Sequence, residues 1–272
     1  MITRFLRHYL LALQFFTRVP VTGPLAAWVG YSPAMLRASA AHYPGVGWLV
    51  GGVTAAVLAL VLAVLPTVPA LPWVAAVLST VAGVMLTGAF HEDGLADTAD
   101  GLGGGLTRER ALEIMKDSRI GSYGAIALVL ALLAKVSLVA MLAQVSPWMA
   151  VLGLFGAHVM SRLMPMFLIR YLSHVGDTAQ SKSKPLADQL DDAALMAGLA
   201  WGALALCLLL WVSPGLHWLA ALAGAVAGLI WMGRLLWRRL RGFTGDGLGA
   251  TQQLSELGFY LGLLLALGPW SA

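Results

Sequence analysis

The sequence is poor in cysteine and in charged residues, and each shortage excludes a class of protein. Its one cysteine, Cys207, rules out an internal disulfide and any cysteine-rich metal site. Charged residues make up only 11% of the 272 residues, whereas apolar residues make up 59% and the mean hydropathy is +0.81. A soluble domain of this length has too little interior to bury so much apolar surface. The composition therefore indicates an integral membrane protein.

Long apolar runs, separated by short polar stretches, predict the fold. A membrane-spanning helix needs about 20 apolar residues, and about seven stretches of the chain meet that requirement. They cover residues 43–65, 72–90, 123–145, 148–172, 194–212, 216–233 and 254–270. The polar stretches between them are too short for a soluble domain. We expect an all-α, polytopic membrane helix bundle that forms one domain over residues 1–272.

Most basic residues collect on one side of this predicted bundle. They lie in the segments 1–42, 91–122, 173–193 and 234–253, whereas the connections on the other side carry no charged residue. Basic loops are typical of the cytoplasmic side, so we expect a cytoplasmic N-terminus. The net charge of +4 then reflects orientation and attraction to the lipid bilayer, and we expect no binding to nucleic acid. The first segment also predicts an amphipathic helix in the membrane interface.

Carboxylates are scarce, yet four of the thirteen lie between His91 and Gly101. In a helix, Asp93, Asp97 and Asp100 would share one face, because they are spaced at i, i+4 and i+7. Like charges this close need a cation, and hard oxygen ligands favour Mg²⁺, which also binds substrate phosphate. The alternative is a solvated acidic helix end. We favour the metal site, because a solvated helix would not need the unfavourable glycines in this stretch.

Two further loops combine glycines with charged or polar residues. After the acidic stretch, Lys116 and Arg119 lie three residues apart, a spacing that lets both cations grip a diphosphate. Their alternative role is ordinary positive-inside charge. In the second loop, Asp246 is a candidate to complete the metal site, with capping of the last helix as the alternative. The candidate substrate ligands in these loops are Arg108, Ser118, Gly121, Thr244 and Gly245.

Three ionisable residues, Lys135, His158 and Arg162, fall inside predicted spans. Such residues are costly in a membrane and usually face a cavity or a partner. We expect Arg162 to bind phosphate, whereas His158 is equally well explained as a core histidine. Their possible partners are Glu256, the carboxylate inside a predicted span, and otherwise an anionic substrate or the acidic loops. For Lys135 the alternatives are a side chain that reaches the membrane interface or a misplaced span boundary.

Five segments together make the chain recognisable. It resembles the cobalamin 5′-phosphate synthase family, also called the adenosylcobinamide-GDP ribazoletransferases. The similarity runs nearly end to end in the order of the family, and the signature His-x-Asp-Gly-Leu-Ala-Asp-Thr-Ala-Asp is complete from His91 to Asp100. The segments are LALQFFTRVPV, HYPGVGWLVGG, HEDGLADTADGLGGG, IMKDSRIGSYG and GFTGDGLGA.

This resemblance implies a Mg²⁺-dependent enzyme of the bacterial inner membrane, with an active site that faces the cytoplasm. Such an enzyme joins adenosylcobinamide-GDP to α-ribazole, or to α-ribazole 5′-phosphate, and releases GMP. It implies a metal site of Asp93, Asp97 and Asp100 with Glu92 and Asp246. The expected catalytic residues are His91, Asp97, Asp100, Lys116 and Arg119, with His91 or a carboxylate of the acidic stretch as proton acceptor. A homo-oligomer is compatible with the resemblance.

Other classes of membrane protein share parts of this pattern. The residues Asp97-x-x-Asp100-Gly101 match the opening of the CDP-alcohol phosphotransferase motif, but Gly104 and Gly105 stand where Ala-Arg should follow. Aromatic prenyltransferases of membranes also use acidic helix ends with Mg²⁺, yet they lack anything like KDSRIGSYG. A transporter would explain the intramembrane charges. The short, uncharged connections on the outer side argue against it.

Overall fold

The protein is described by a computed structural model that covers residues 2–176 and 190–268. Helices account for its regular structure, and the described residues contain an isolated bridge between His174 and Phe243 but no strand. The all-α prediction is therefore confirmed. The helices are α1 Ile2–Phe16, α2 Gly23–Val29, α3 Pro33–Ser39, α4 Tyr43–Val64, α5 Leu71–Thr87, α6 Phe90–Gly104, α7 Arg108–Met115, α8 Ser122–Val145, α9 Pro147–Tyr171, α10 Asp192–Val212, α11 His217–Leu240 and α12 Gly245–Ala266.

Five helical stretches of the described chain are long and apolar enough to cross a membrane. They are Pro33–Val64, which joins α3 to α4 through a short 3-10 turn, and the helices α8, α9, α10 and α11. A sixth arises if α5 and α6 are counted as one span. The multi-pass membrane bundle is confirmed, while the count of seven spans and the cytoplasmic N-terminus stay predictions. Lys182 and Lys184, two of the basic loop residues, lie outside the described residues.

The last predicted span, 254–270, falls on α12, which is not among these helices. Its first half carries Gln252, Gln253 and Glu256, so it is too polar to pass as a lipid-facing span. All three side chains are buried by neighbouring helices. We therefore describe α12 as an inner helix of the bundle whose polar half faces protein.

A sharp break separates α5 from α6. Gly88 and Ala89 both adopt the left-handed conformation, with φ of 67° and 59°, and the two helices meet at 88°. Such a conformation costs a residue with a side chain roughly 1–2 kcal/mol, so surrounding contacts must hold Ala89 in place. The acidic stretch is thus a separate helix. The bend turns α6 away from the direction of α5.

Close backbone contacts through glycines position α12 against its neighbours. A Cβ added at Gly224 of α11 would collide with the carbonyl group of Gly258 in α12. On the other side, a Cβ added at Gly94 of α6 would lie 2.9 Å from the carbonyl oxygen of Asp246. Small residues allow such approach of membrane helices. The crossing of α6 and α12 therefore brings the acidic stretch next to the second glycine-rich loop.

Candidate active site

Three carboxylates meet where α6 crosses the start of α12. Asp93 and Asp97 lie one helical turn apart on α6, and Asp246 lies in the first turn of α12. Burial, followed by the negative charges of Asp246, Asp93 and Asp100, raises the pKa of Asp97 to about 7. Burial, followed by the charge of Asp93, raises the pKa of Asp246 to about 6. The three acids are thus close enough to repel one another.

No basic side chain of the described chain relieves this repulsion by forming an ion pair with Asp93, Asp97 or Asp246. The described residues also contain no group of three or more acid, histidine or cysteine side chains already arranged as a metal cage. Mg²⁺ does not require one, because it binds through one or two carboxylates and keeps several waters. Hard oxygen donors that carry unbalanced negative charge fit this cation. The residues present are therefore suited to a magnesium site.

Asp100 has a different environment from the other acids of its face. It is buried, and its two carboxylate oxygens accept hydrogen bonds from the backbone N–H groups of Gly121, at 2.7 Å, and Gly124, at 2.8 Å. A Cβ added at either glycine would collide with this carboxylate. Asp100 therefore ties α6 to the N-terminus of α8, where a negative charge is also favoured by the helix dipole. The prediction that it binds metal is not tested by these contacts.

Glu92 points to the opposite side of α6, into the bundle. Its Oε1 accepts a hydrogen bond from Gln253 Nε2 at 3.0 Å and lies 3.7 Å from Lys135 Nζ. Its second oxygen is buried without a hydrogen-bond partner in the described part of the chain. The structure thus places Glu92 among buried partners of α8 and α12, away from Asp93 and Asp97 on the outer side of the helix.

Glu256 is the centre of this buried polar cluster. It is fully buried, and its carboxylate lies 3.2 Å from Lys135 Nζ and 3.7 Å from His158 Nδ1. It also accepts hydrogen bonds from Gln252 Nε2 at 2.8 Å and Tyr260 OH at 3.0 Å. A buried charge needs such partners, because leaving it unpaired costs far more than the pairing gains.

Arg162 and His158 complete the cluster from α9. The Arg162 guanidinium donates to the backbone carbonyl of His158 at 2.9 Å, and its Nη1 lies 3.1 Å from His158 Nδ1. We call the set Glu92, Lys135, His158, Arg162, Gln252, Gln253, Glu256 and Tyr260 the buried polar cluster. It contains two carboxylates and two basic side chains besides His158, so its formal charges balance.

The sequence indicated part of this cluster and missed the rest. Glu256 was one of several partners considered for the intramembrane basic residues, and the contacts show it paired with Lys135 and His158. Gln252 and Tyr260 were missed, although each lies four residues from Glu256 on the same helical face. That spacing around a buried acid was the available signal. The contact of Gln253 with Glu92 joins two distant helices, and no local pattern predicts it.

His91 lies at the start of α6 and is buried beside Phe16, with the ring centroids 6.0 Å apart and the planes nearly parallel. It lines two cavities, and Arg162 lines both as well. Burial, followed by the positive charge of Arg162, lowers the pKa of His91 well below its usual value. The imidazole is therefore neutral at pH 7 and a weaker proton acceptor than an exposed histidine.

The remaining predicted residues lie in the loops around this end of the bundle. Arg119 is 87% exposed and pairs with Asp117, with 2.6 Å between Nη2 and Oδ2. Lys116 and Ser118 are exposed near it, in the connection between α7 and α8. The structure does not bring these side chains into contact with Asp93 or Asp97.

Other loop residues hold helix ends in place. Arg108 Nε donates to the carbonyl of Leu240 at 2.8 Å, so it connects α7 to the end of α11. Thr244 caps α12, because its hydroxyl oxygen accepts the N–H of Gly247 at 3.0 Å. Arg239, which was missed, donates to the carbonyls of Leu102 and Gly105 at the end of α6. These contacts fix the helices that carry the acids.

Comparison with known proteins gives one consistent result. A family described as Cobalamin-5-phosphate synthase matches residues 8–264. A relative from Albidiferax ferrireducens is 58% identical, over 97% of this chain and 100% of its own length. A relative from Polaromonas sp. is 55% identical, over 98% of this chain and 99% of its own length. A relative from Leptothrix cholodnii is 50% identical, over 97% of this chain and 96% of its own length. All three bear the name adenosylcobinamide-GDP ribazoletransferase, and no solved structure matches.

The balance of charges in the buried polar cluster yields a first prediction. Lys135→Met leaves the carboxylates of Glu92 and Glu256 without the lysine that they share. We therefore expect the free energy of unfolding to fall by about 3–5 kcal/mol. Adding Glu256→Gln restores the balance of charge, so the double variant should be more stable than Lys135→Met alone. Thermal unfolding of the detergent-purified proteins measures both effects. Equal stability of the single and double variants would contradict the pairing.

The raised pKa values yield a second prediction, for protein freed of divalent cations by a chelator. Folding raises the pKa of Asp97 from its ordinary value of 3.8 to about 7, so the folded protein favours the protonated carboxyl group. The contribution of Asp97 to the stability of the fold therefore falls as the pH rises from 3.8 to about 7. We expect Asp97→Asn to exceed wild type in melting temperature by a margin that grows over this interval. Glu113→Gln, at a side chain that is 68% exposed, is the control. A margin that stays constant with pH would show that the surroundings of Asp97 do not raise its pKa.

Proposed function

The chain belongs to the cobalamin-5-phosphate synthase family, and from this premise and the site we infer that it acts as an adenosylcobinamide-GDP ribazoletransferase. It is a membrane transferase of cobalamin biosynthesis. It moves the adenosylcobinamide phosphate group to α-ribazole, or to α-ribazole 5′-phosphate. Both acceptors carry a free ribose hydroxyl other than the 5′-hydroxyl, which is already phosphorylated in α-ribazole 5′-phosphate. The oxygen of this shared hydroxyl forms a bond to the phosphorus next to cobinamide, and the bond from that phosphorus to the bridging oxygen breaks. GMP leaves, and the hydroxyl proton goes to a base.

The observation that carries this proposal is the convergence of Asp93, Asp97 and Asp246 at one end of the bundle without a basic partner among the described residues. These three carboxylates would hold Mg²⁺, which would offset the negative charge of the diphosphate and of the departing GMP. Asp100 orients α6 through its two backbone contacts and faces the same end. Glu92 is assigned to the buried polar cluster instead of the metal site.

The exposed basic residues before α8 are proposed as diphosphate ligands. Lys116 and Arg119 lie in the loop between α7 and α8. Asp100 holds the end of this loop through Gly121, and Arg108 connects the start of α7 to α11. Arg119 would exchange its exposed partner Asp117 for a phosphate group, two oxygens of which bind a guanidinium in the same bidentate manner. Ser118, Gly121, Thr244 and Gly245 border this region of the molecule and stay proposed substrate contacts.

His91 is proposed as the group that accepts the proton of the attacking hydroxyl. It lies on the helix that carries Asp93 and Asp97, and it lines a cavity. A general base must also come within hydrogen-bond reach of the hydroxyl in the bound state. A carboxylate of the acidic stretch is the second candidate.

We propose that this end of the bundle faces the cytoplasm in the bacterial inner membrane. The acids lie at the same end as the basic residues Arg108, Lys116, Arg119 and Arg239, and basic loops are retained on the cytoplasmic side. The substrates would reach the site from there. A transporter or a CDP-alcohol phosphotransferase is not favoured, because the relatives and the family agree over nearly the whole chain.

A third prediction tests the assignment through GMP release by the detergent-purified full chain. Wild type should release GMP only when adenosylcobinamide-GDP, α-ribazole and Mg²⁺ are all present. Asp100→Asn should lose roughly 10–100-fold in activity, as positioning groups next to metal sites do, and Asp97→Asn and Asp246→Asn should lose more. Glu113→Gln should match wild type, because Glu113 lies exposed on α7.

Two outcomes would contradict this account. No GMP release by folded wild type would overturn the transferase assignment. Full activity of both Asp97→Asn and Asp246→Asn would leave the reaction in place but remove the metal site from the crossing of α6 and α12.

A further inference from the structure

A pocket with aromatic walls lies beside the acids, and its aromatic side chains have no role in the reaction described so far. Four rings line it, from Phe15, Phe16, Tyr43 and Phe90. They pack edge to face: the ring centroids of Phe16 and Tyr43 are 4.3 Å apart, and the Phe90 centroid lies 5.4 Å from both neighbouring phenylalanines. Edge-to-face packing holds such rings in fixed orientations. The pocket therefore offers flat, rigid apolar surface to a ligand.

The polar part of the lining consists of His91, Arg162 and Gln252. Arg162 is 4% exposed, and its Nε has no hydrogen-bond partner in the described chain. A buried donor left unpaired is unfavourable, and native proteins rarely keep one without a reason. It points to a ligand that carries a hydrogen-bond acceptor.

The pocket adjoins the carboxylates. Gly245 and Gly249 of α12 line it, and a Cβ added at Gly249 would lie 3.3 Å from the carbonyl oxygen of His91. This is the same helix crossing at which Gly94 contacts the backbone of Asp246. A ligand in the pocket would thus lie next to the end of the bundle where phosphoryl transfer is proposed.

The pocket opens to solvent. The space between its walls, with the opening to solvent included, is about 510 Å³. A ligand can therefore enter it from outside the bundle.

We propose that this pocket binds the planar base of the acceptor nucleoside, and this inference rests on the proposed function. Stacking on aromatic side chains is the usual way to hold a flat base. The benzimidazole base of a ribazole is flat and mostly apolar, and its free ring nitrogen accepts hydrogen bonds. Arg162 supplies the matching donor.

The guanine base of the other substrate fits this lining less well. Guanine presents N–H donors and needs acceptors opposite them. The pocket contains no carboxylate to accept two N–H groups of guanine at once, and the side-chain oxygen of Gln252 already accepts a hydrogen bond from Gln253 at 2.9 Å.

Two sequence segments that contribute no residue to the metal site supply walls of this pocket. Phe15 and Phe16 belong to LALQFFTRVPV, and Tyr43 belongs to HYPGVGWLVGG. Both segments carry the family resemblance, yet they contain no carboxylate. The fold brings them together against Phe90, at the start of the helix with the acids.

The test compares variants of Phe90, whose side chain is 38% exposed and can be shortened without opening the core. Binding of α-ribazole to the purified full chain is measured by calorimetry without the second substrate, and KM values for both substrates are measured by GMP release. We expect Phe90→Ala to weaken α-ribazole binding about tenfold and to change the KM for adenosylcobinamide-GDP by less than about twofold, because the lost contact is stacking on one base.

Two control variants accompany it. Phe90→Tyr keeps the ring and should bind α-ribazole like wild type. Phe5→Ala removes a ring of similar exposure on α1 that does not line the pocket, and it should also bind like wild type.

Unchanged α-ribazole binding by Phe90→Ala would overturn this assignment, and so would a rise confined to the KM for adenosylcobinamide-GDP. Either result would leave the transferase reaction intact. Failure of wild type to release GMP would instead count against the proposed function itself.

Discussion

A charged side chain inside a membrane helix bundle is stable only when it is paired, and the pairing of Lys135 with Glu256 and Glu92 determines how this bundle fits together. The three residues come from α8, α12 and α6. Satisfying them fixes the rotation of α6, so that Glu92 faces inward while Asp93 and Asp97 face the start of α12. Asp93 and Asp97 are available to bind a cation, whereas Glu92, which faces inward, is paired with Lys135.

Close helix contact makes this arrangement possible. Glycines at the crossing of α6 and α12, and along α11 and α12, let backbones touch, and the left-handed residues Gly88 and Ala89 release α6 from α5. The result is a short acidic helix held at a right angle to its predecessor. Asp100 and Arg239 then fasten its far end, through backbone N–H groups on one side and carbonyls on the other.

Much of this was predictable from composition and local spacing. The apolar runs predicted most of the long helices. Because carboxylates are scarce in this chain, the four between His91 and Gly101 indicated a functional site. The division of its acids was not predictable, because helical spacing groups Asp100 with Asp93 and Asp97, whereas tertiary hydrogen bonds bury it. The bend before α6 also escaped prediction, since alanine seldom adopts a positive φ and only surrounding structure holds it there. The position of α12 inside the bundle was not predictable either, because the run 254–270 looks like any other span and only tertiary packing buries Gln252, Gln253 and Glu256.

The central claim is that α6 has two functionally different sides, one neutralised by the bundle and one left for a divalent cation. Titration of Mn²⁺ into the purified protein, followed by electron paramagnetic resonance, tests it directly. The account predicts that Asp97→Asn and Asp246→Asn lose cation binding, whereas Glu92→Gln, which keeps an acceptor for Gln253, retains it. Loss of binding in Glu92→Gln, together with full binding in Asp246→Asn, would contradict the account.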